Sequence, residues 1–275
     1  MKKDTVISYI FRIVSYFIFA IVMLIFILTI GSGIGYFSWD FFTQAPSNGM
    51  TAGGILPAIL GSLAVLVLSL VFAIPVGMFT GIYLAEYGGR TVIAQLLMTA
   101  ITSLAGVPSV VFGLFGLSLF CITFGFRTSL LAGSLTLSIM TLPVIASTVN
   151  EALKAIPRTV RESAYALGAK KTEVIFKVLI PYAKSRILTA ILIGGGRVIG
   201  ETAPILLTGA IFFSTTLPTS VMDPVMTLPS HIYYISMAYG ENAQWMAKGA
   251  SAFLMIFVLV IYAIAFRIRR KMNER

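Results

Sequence analysis

The chain has 275 residues, of which 58% are hydrophobic and only 11% are charged. A water-soluble globule of this length carries about a quarter charged residues, so that class is excluded. The net charge of +10 does not point to nucleic acid, because the cations follow a membrane topology and form no basic patch on a soluble domain.

Mostly apolar runs long enough to cross a bilayer recur, which predicts an all-α, polytopic membrane protein. Six transmembrane helices are the most economical count, at roughly 13–36, 56–83, 92–124, 129–150, 187–212 and 248–266. Residues 1–55 are read as an N-terminal transmembrane helix with its outer loop, and 56–275 as the transmembrane core. The first run follows Lys2, Lys3 and Arg12. It is too long for a signal-peptide core and no A-x-A site follows, so it is read as an uncleaved span. After the second span, Glu86 and Arg90 stand four apart and predict a paired, capped helix end. The third span is overlong and contains Pro108, which predicts a kinked helix. Cys121 is the single cysteine. It can form no internal disulfide or cysteine-based metal site and reads as a small packed residue.

The polar stretch 151–186 carries eight Lys/Arg: Lys154, Arg158, Arg161, Lys170, Lys171, Lys177, Lys184 and Arg186. Pro157 suits a first helical turn. Ile156, Val160, Ala164 and Leu167 fall on one helical face, and Gly168 follows as a left-handed cap should. A second helix is predicted from about Lys171, with Glu173 and Lys177 as an i, i+4 pair, Val174, Val178 and Leu179 on its apolar side, and Pro181 ending or kinking it. With both termini inside, seventeen Lys/Arg lie on the cytoplasmic side, against Arg127 and Lys248 outside. That bias fixes the orientation and makes 157–181 cytoplasmic.

Glu162, Ser163 and Ala164, then Gly168, then Val178, Leu179, Ile180 and Pro181 reproduce the complete spacing of the coupling signature E-A-A, three residues, G, nine residues, I-x-L-P. On these residues the chain resembles the ABC importer permeases. The resemblance implies a type I ABC importer permease fold. It also implies that Glu162, Ser163, Ala164, Gly168 and Pro181 contact a cytoplasmic ATPase. No G-x-x-x-x-G-K-[ST] loop occurs in the sequence, so ATP hydrolysis falls to another chain.

The fifth span holds Gly194, Gly195, Gly196, Arg197, Gly200, Glu201, Thr202 and Pro204. Arg197 and Glu201 are four apart and can pair. Ionised groups at membrane depth face a bundle interior or a water-filled path. Two readings stay open: a salt bridge that fixes helix packing, and an oxyanion path. A guanidinium fork matches tetrahedral oxyanions. The carboxylate suits the P–OH of protonated phosphate better than sulfate, which has none. Thr202 can add a hydroxyl. Gly196 and Gly200 suggest close approach of another helix, and Pro204 loosens the next turn.

The block 200–208, with 104–116 and 228–233, resembles the PstA-type subunit of phosphate-specific importers. That resemblance implies transport of inorganic phosphate with Arg197 and Glu201 as the charged pair of the path. The implied partners are a second homologous permease, an ATPase dimer and an extracytoplasmic phosphate-binding protein. The setting is a cell membrane, lipid included, and excludes nucleic acid. The other readings are a sulfate or molybdate permease, and a passive channel or scaffold. No catalytic set, metal site or cofactor is read: there is no H-E-x-x-H, no Gly-x-Ser-x-Gly and no paired aspartates within spans. The segment 214–247, with Pro218, Pro224, Pro229, Asp223 and Glu241, is read as an outer loop with partial re-entry. His231, the only histidine, is read there as a polar loop or interface residue.

Overall fold

The computed structural model describes residues 2–89, 91–238 and 240–273. Arg90 and Arg275 lie outside them, and with Arg90 the expected Glu86–Arg90 pair. The helices are α1 (Lys2–Gly33), α2 (Trp39–Thr43), α3 (Leu56–Glu86), α4 (Val92–Ala105), α5 (Ser109–Gly116), α6 (Leu130–Lys154), α7 (Arg158–Ala166), α8 (Lys171–Glu173), α9 (Ile180–Gly200), α10 (Ala203–Thr208), α11 (Leu228–Ala238) and α12 (Gln244–Asn273). A two-stranded hairpin, β1 (Pro46–Ser47) with β2 (Ala52–Gly53), lies between α2 and α3.

Four helices are long and apolar enough to cross a membrane, within α1, α3, α6 and α12, and a fifth if α4 and α5 are taken as one broken span. The expected six are not all found. The region read as the fifth span is divided: α9 carries Lys184, Arg186 and Arg197 and stops at Gly200, and α10 follows. The third span is also corrected. Val92–Ala105 and Ser109–Thr123 meet at 107°, which is a break, not a kink. Gly106 closes α4, and Pro108 stands extended before α5 with ψ 141. Without an N–H, Pro108 cannot continue the α4 ladder, so its fixed φ starts a new helix direction. The fourteen residues of α4 span about 21 Å, short of a bilayer core.

The centre is α3 against α6, with α9 packed on both. Glycines set this contact. A Cβ at Gly81 would stand 2.7 Å from the Ala146 carbonyl oxygen and 2.7 Å from the Val149 Cβ. Gly81→Ala should therefore push α3 off α6 and lower thermal stability in detergent by about 1–3 kcal/mol. Gly200→Ala, where nothing lies within 4 Å, should leave the unfolding midpoint unchanged. Two hydroxyls of α6 are spent within their own helix: Thr136 donates to the Ala132 carbonyl at 2.7 Å and Thr148 to Val144 at 2.8 Å, while those of Ser134 and Thr141 are buried with no partner among the described residues. The Ser138 hydroxyl lies 2.8 Å from the Ser69 carbonyl oxygen of α3 and 2.7 Å from that of Ser134, sharing one proton between them.

The end of the bundle opposite Glu86 is a second core. Phe41, Met50 and Ile55 pack with Met226, Leu228, Ile235, Met246 and Ala250. The segment 214–227 covers the start of α6, where Leu130 N–H donates to the Asp223 carbonyl and Leu131 N–H to that of Val221, each at 2.8 Å. The Asp223 carboxylate accepts from the Ser220 N–H and from the Thr219 hydroxyl and N–H, which hold it below the usual carboxylate range. His231 is not in a loop but on α11, fully buried. Neither ring nitrogen has a partner among the described residues. Burial pushes the imidazole down to about 4, so it is neutral near pH 7. Cys121 is buried as expected, with its thiol 3.5 Å from the Thr208 carbonyl oxygen.

Candidate functional site

The stretch 151–186 forms the two helices that its spacing predicts, with α7 ending where Gly168 stands at φ +84. Gly168 N–H donates to the Tyr165 carbonyl at 2.9 Å, and Ala169 N–H to that of Ala164 at 3.2 Å. This is the Schellman pattern, which uses two carbonyls that a helix end leaves open. Pro157 stands one residue before the helix, not in its first turn. Lys170 N–H donates to the Glu173 carboxylate at 3.0 Å, and Glu173 pairs with Lys177 at 3.1 Å. Those bonds hold the exposed Glu173 carboxyl below its ordinary range. Pro181 does not end the second helix. A π-helical turn, Val174–Leu179, precedes it, and the chain runs on as α9. A widened turn is how a helix accommodates a residue without an N–H.

The apolar face is turned inward. Ile156, Val174, Ile175 and Leu179 are buried, and Val160 and Ala164 pack against them. Leu167 departs from that face and is 90% exposed. Glu162, Ser163, Gly168 and Pro181 are also exposed, and Ala164 is half-buried. The loop thus presents a polar and glycine surface with Tyr165, Leu167 and Phe176 exposed on it.

Sequence reasoning missed one contact of this loop. Arg161, at 18% exposure, donates through Nη2 to the Glu86 carboxylate at 2.7 Å and through Nε at 3.2 Å, with Glu86 at 6% exposure. Its Nη1 and Nη2 also reach the Ile156 and Leu153 carbonyls, each at 2.7 Å. An acidic residue closing an apolar span was the available signal, but the spacing to Arg90 gave it a nearer partner.

At the other end of α9, Arg197 occupies the last helical turn, where a cation suits the helix dipole. Glu201 is the extended residue that closes the helix (φ −76, ψ 133), and Pro204 is built into the start of α10. The expected pair forms, with Arg197 Nε 3.4 Å from Glu201 Oε1 and side-chain exposures of 31% and 18%. Among the described residues Glu201 is the guanidinium's only partner, which leaves both terminal nitrogens available to an oxyanion. Thr202 lines a cavity of about 970 Å³ between α1, α10, α11 and α12, together with Gly196, Gly200, Tyr233 and Ser251. Arg197 and Glu201 are not in its wall. Glu201 instead borders a tight crevice with Ser62, Val198 and Thr227. The expected helix approach at the glycines is corrected: a Cβ at Gly196 would overlap the Tyr262 hydroxyl, a side chain, and Gly200 faces open space. No group of three or more His, Cys, Asp or Glu able to hold a metal occurs among the described residues.

The sequence profile described as "Binding-protein-dependent transport system inner membrane component" matches residues 73–275. The chain is 32% identical over 260 residues to the phosphate transport system permease protein PstA of Mycobacterium leprae, covering 91% of this chain and 84% of that protein. It is 32% identical over 232 residues to PstA of Haemophilus influenzae, covering 84% and 81%. Both are named as permease proteins. A bacterial alginate ABC transporter, solved in complex with an alginate pentasaccharide-bound periplasmic protein, has the same fold: TM-score 0.70 at 16% identity, covering 98% of this chain and 96% of that one. By sequence and by fold, the chain belongs to the inner membrane components of binding-protein-dependent transport systems, as a PstA-type ABC permease.

Proposed function

We propose that this permease passes inorganic phosphate into the cytoplasm through a path that includes Arg197, Glu201 and Thr202. The Arg197 guanidinium at the break between α9 and α10 carries the reading, with two terminal nitrogens unengaged among the described residues. Eleven positions separate Arg186 from Arg197, roughly 16 Å of helix rise, which sets Arg197 near mid-bilayer if Arg186 marks the cytoplasmic edge. A fork of charged donors there offsets part of the cost of dehydrating phosphate, and one open ion pair is weak enough to release it. Relatives named for phosphate transport support the choice of anion.

The remaining machinery follows from the same reading. Both termini are cytoplasmic, and 157–181 docks on an ATPase dimer through Glu162, Ser163, Ala164, Gly168 and Pro181. A second permease completes the path, and an extracytoplasmic binding protein delivers phosphate at the outer core. Labelled-phosphate uptake at micromolar concentration should be lost when this chain is deleted from cells with no other phosphate importer. It should also be unaffected by excess sulfate or molybdate. Competition by either anion would move the assignment to that anion, and uptake independent of ATP would replace the importer with a passive channel.

A further inference from the structure

We propose that the Glu86–Arg161 pair is the link that delivers a displacement of the cytoplasmic helices to α3. The inference rests on the reading of 157–181 as the docking element. Among the described residues three ion pairs occur, and the other two, Glu173–Lys177 and Arg197–Glu201, are local i, i+4 pairs. Of these three, Glu86–Arg161 joins separate elements, 75 residues apart. Arg161 precedes Glu162, which is exposed on the same turn of α7. The same short helix therefore offers one side to a partner and ties the other to a membrane helix.

The tie is directional. Arg161 holds the Glu86 carboxylate and the Leu153 and Ile156 carbonyls at once. The ends of α3 and α6 and the start of α7 are thereby fixed to one planar fork, which resists rotation as well as separation. A second contact repeats the attachment from the other cytoplasmic helix: Lys171 Nζ lies 3.9 Å from the centroid of the Tyr87 ring, next to Glu86. Tyr87 stacks on Tyr83 one turn earlier. Both helices of the loop thus grip the last turns of α3. The 31 residues of α3 reach roughly 46 Å, and at its far end Ala58 is part of the outer core. A push at the loop therefore has a path along α3 to the outer face, through the turn that Pro75 interrupts.

Folding alone does not require an ion pair here, because buried pairs are replaceable by apolar residues of similar volume with little loss of stability. That property separates the two roles. The complete transporter, reconstituted in proteoliposomes, is assayed for phosphate imported per ATP hydrolysed. The double variant Glu86→Leu with Arg161→Met should assemble with its ATPase as the parent does, while the ratio falls about tenfold. In a second variant both positions become cysteine, and a short bis-methanethiosulfonate cross-linker should restore the ratio; the native Cys121 is buried and does not compete. An unchanged ratio in the apolar variant would overturn the proposal. So would failure of that variant to assemble, which would assign the pair to folding. If the parent imports sulfate in place of phosphate, the phosphate reading falls, and the ratio taken with sulfate still tests the link.

Discussion

Arg197→Ala should reduce phosphate uptake by at least ~100-fold, the loss expected when two charge-assisted hydrogen bonds to the anion are removed. The complex should still assemble, because Arg197 is part-exposed and its single bond to Glu201 is long at 3.4 Å. Arg197→Lys keeps the charge but loses the fork, so it should recover a minor part of the rate. The competing role, a salt bridge that fixes α9 to the 201–202 break, predicts a different pattern. In that case Arg197→Ala and Glu201→Gln would lower the amount of assembled complex in parallel, and uptake per assembled complex would stay at the parent value. Measuring both quantities on one membrane preparation decides between them.

Gly168→Val should cut both ATPase co-purification and uptake by about tenfold or more. Nothing lies within 4 Å of a Cβ at that position, so the effect comes from the backbone alone. At φ +84 a β-branched residue costs on the order of 1–3 kcal/mol. The turn would relieve that cost by giving up the Gly168 and Ala169 bonds, which changes the angle between α7 and α8. Gly168→Asn is the control, since asparagine tolerates the left-handed region, and it should keep most of the activity. Equal and full co-purification in both variants would remove the docking assignment from this loop.

What was legible in the sequence was what short-range chemistry decides. The glycine after α7, the Glu173–Lys177 pair and the apolar spacing of the loop each depend on residues within four or five positions. The glycine and the ion pair appear where expected, and so does the apolar face apart from Leu167. The direction of the apolar face was not legible, because Leu167 shares the helical spacing of Val160 and Ala164 but sits on the last turn, where the chain leaves the core. Nor was the partner of Glu86, which lies 75 positions away. The 107° turn at Pro108 illustrates the same limit: proline announces an interruption, and packing sets its angle. At the charged site the pairing of Arg197 with Glu201 followed from spacing. The end of α9 at Gly200 did not, since a proline four residues on permits either a loosened turn or a full break. His231 was placed in a loop because prolines surround it, yet α11 carries it into the interior.

The seam between α3 and α6 has a mechanical consequence. Its glycines bring the helices close, and few side-chain hydrogen bonds cross it: Thr136 and Thr148 bond within α6, and the Ser69, Ser134 and Thr141 hydroxyls have no partner among the described residues. Small residues and dispersion contacts therefore hold the two surfaces together, and a single shared hydroxyl proton, that of Ser138, bridges them. Such a contact has high normal stiffness and low shear resistance. One helix can slide along the other by exchanging one set of van der Waals neighbours for the next, at the cost of the one Ser138–Ser69 bond. The bundle behaves as a linear bearing, strong under compression and yielding along its axis, and the bonded ends of α3 set how far it travels.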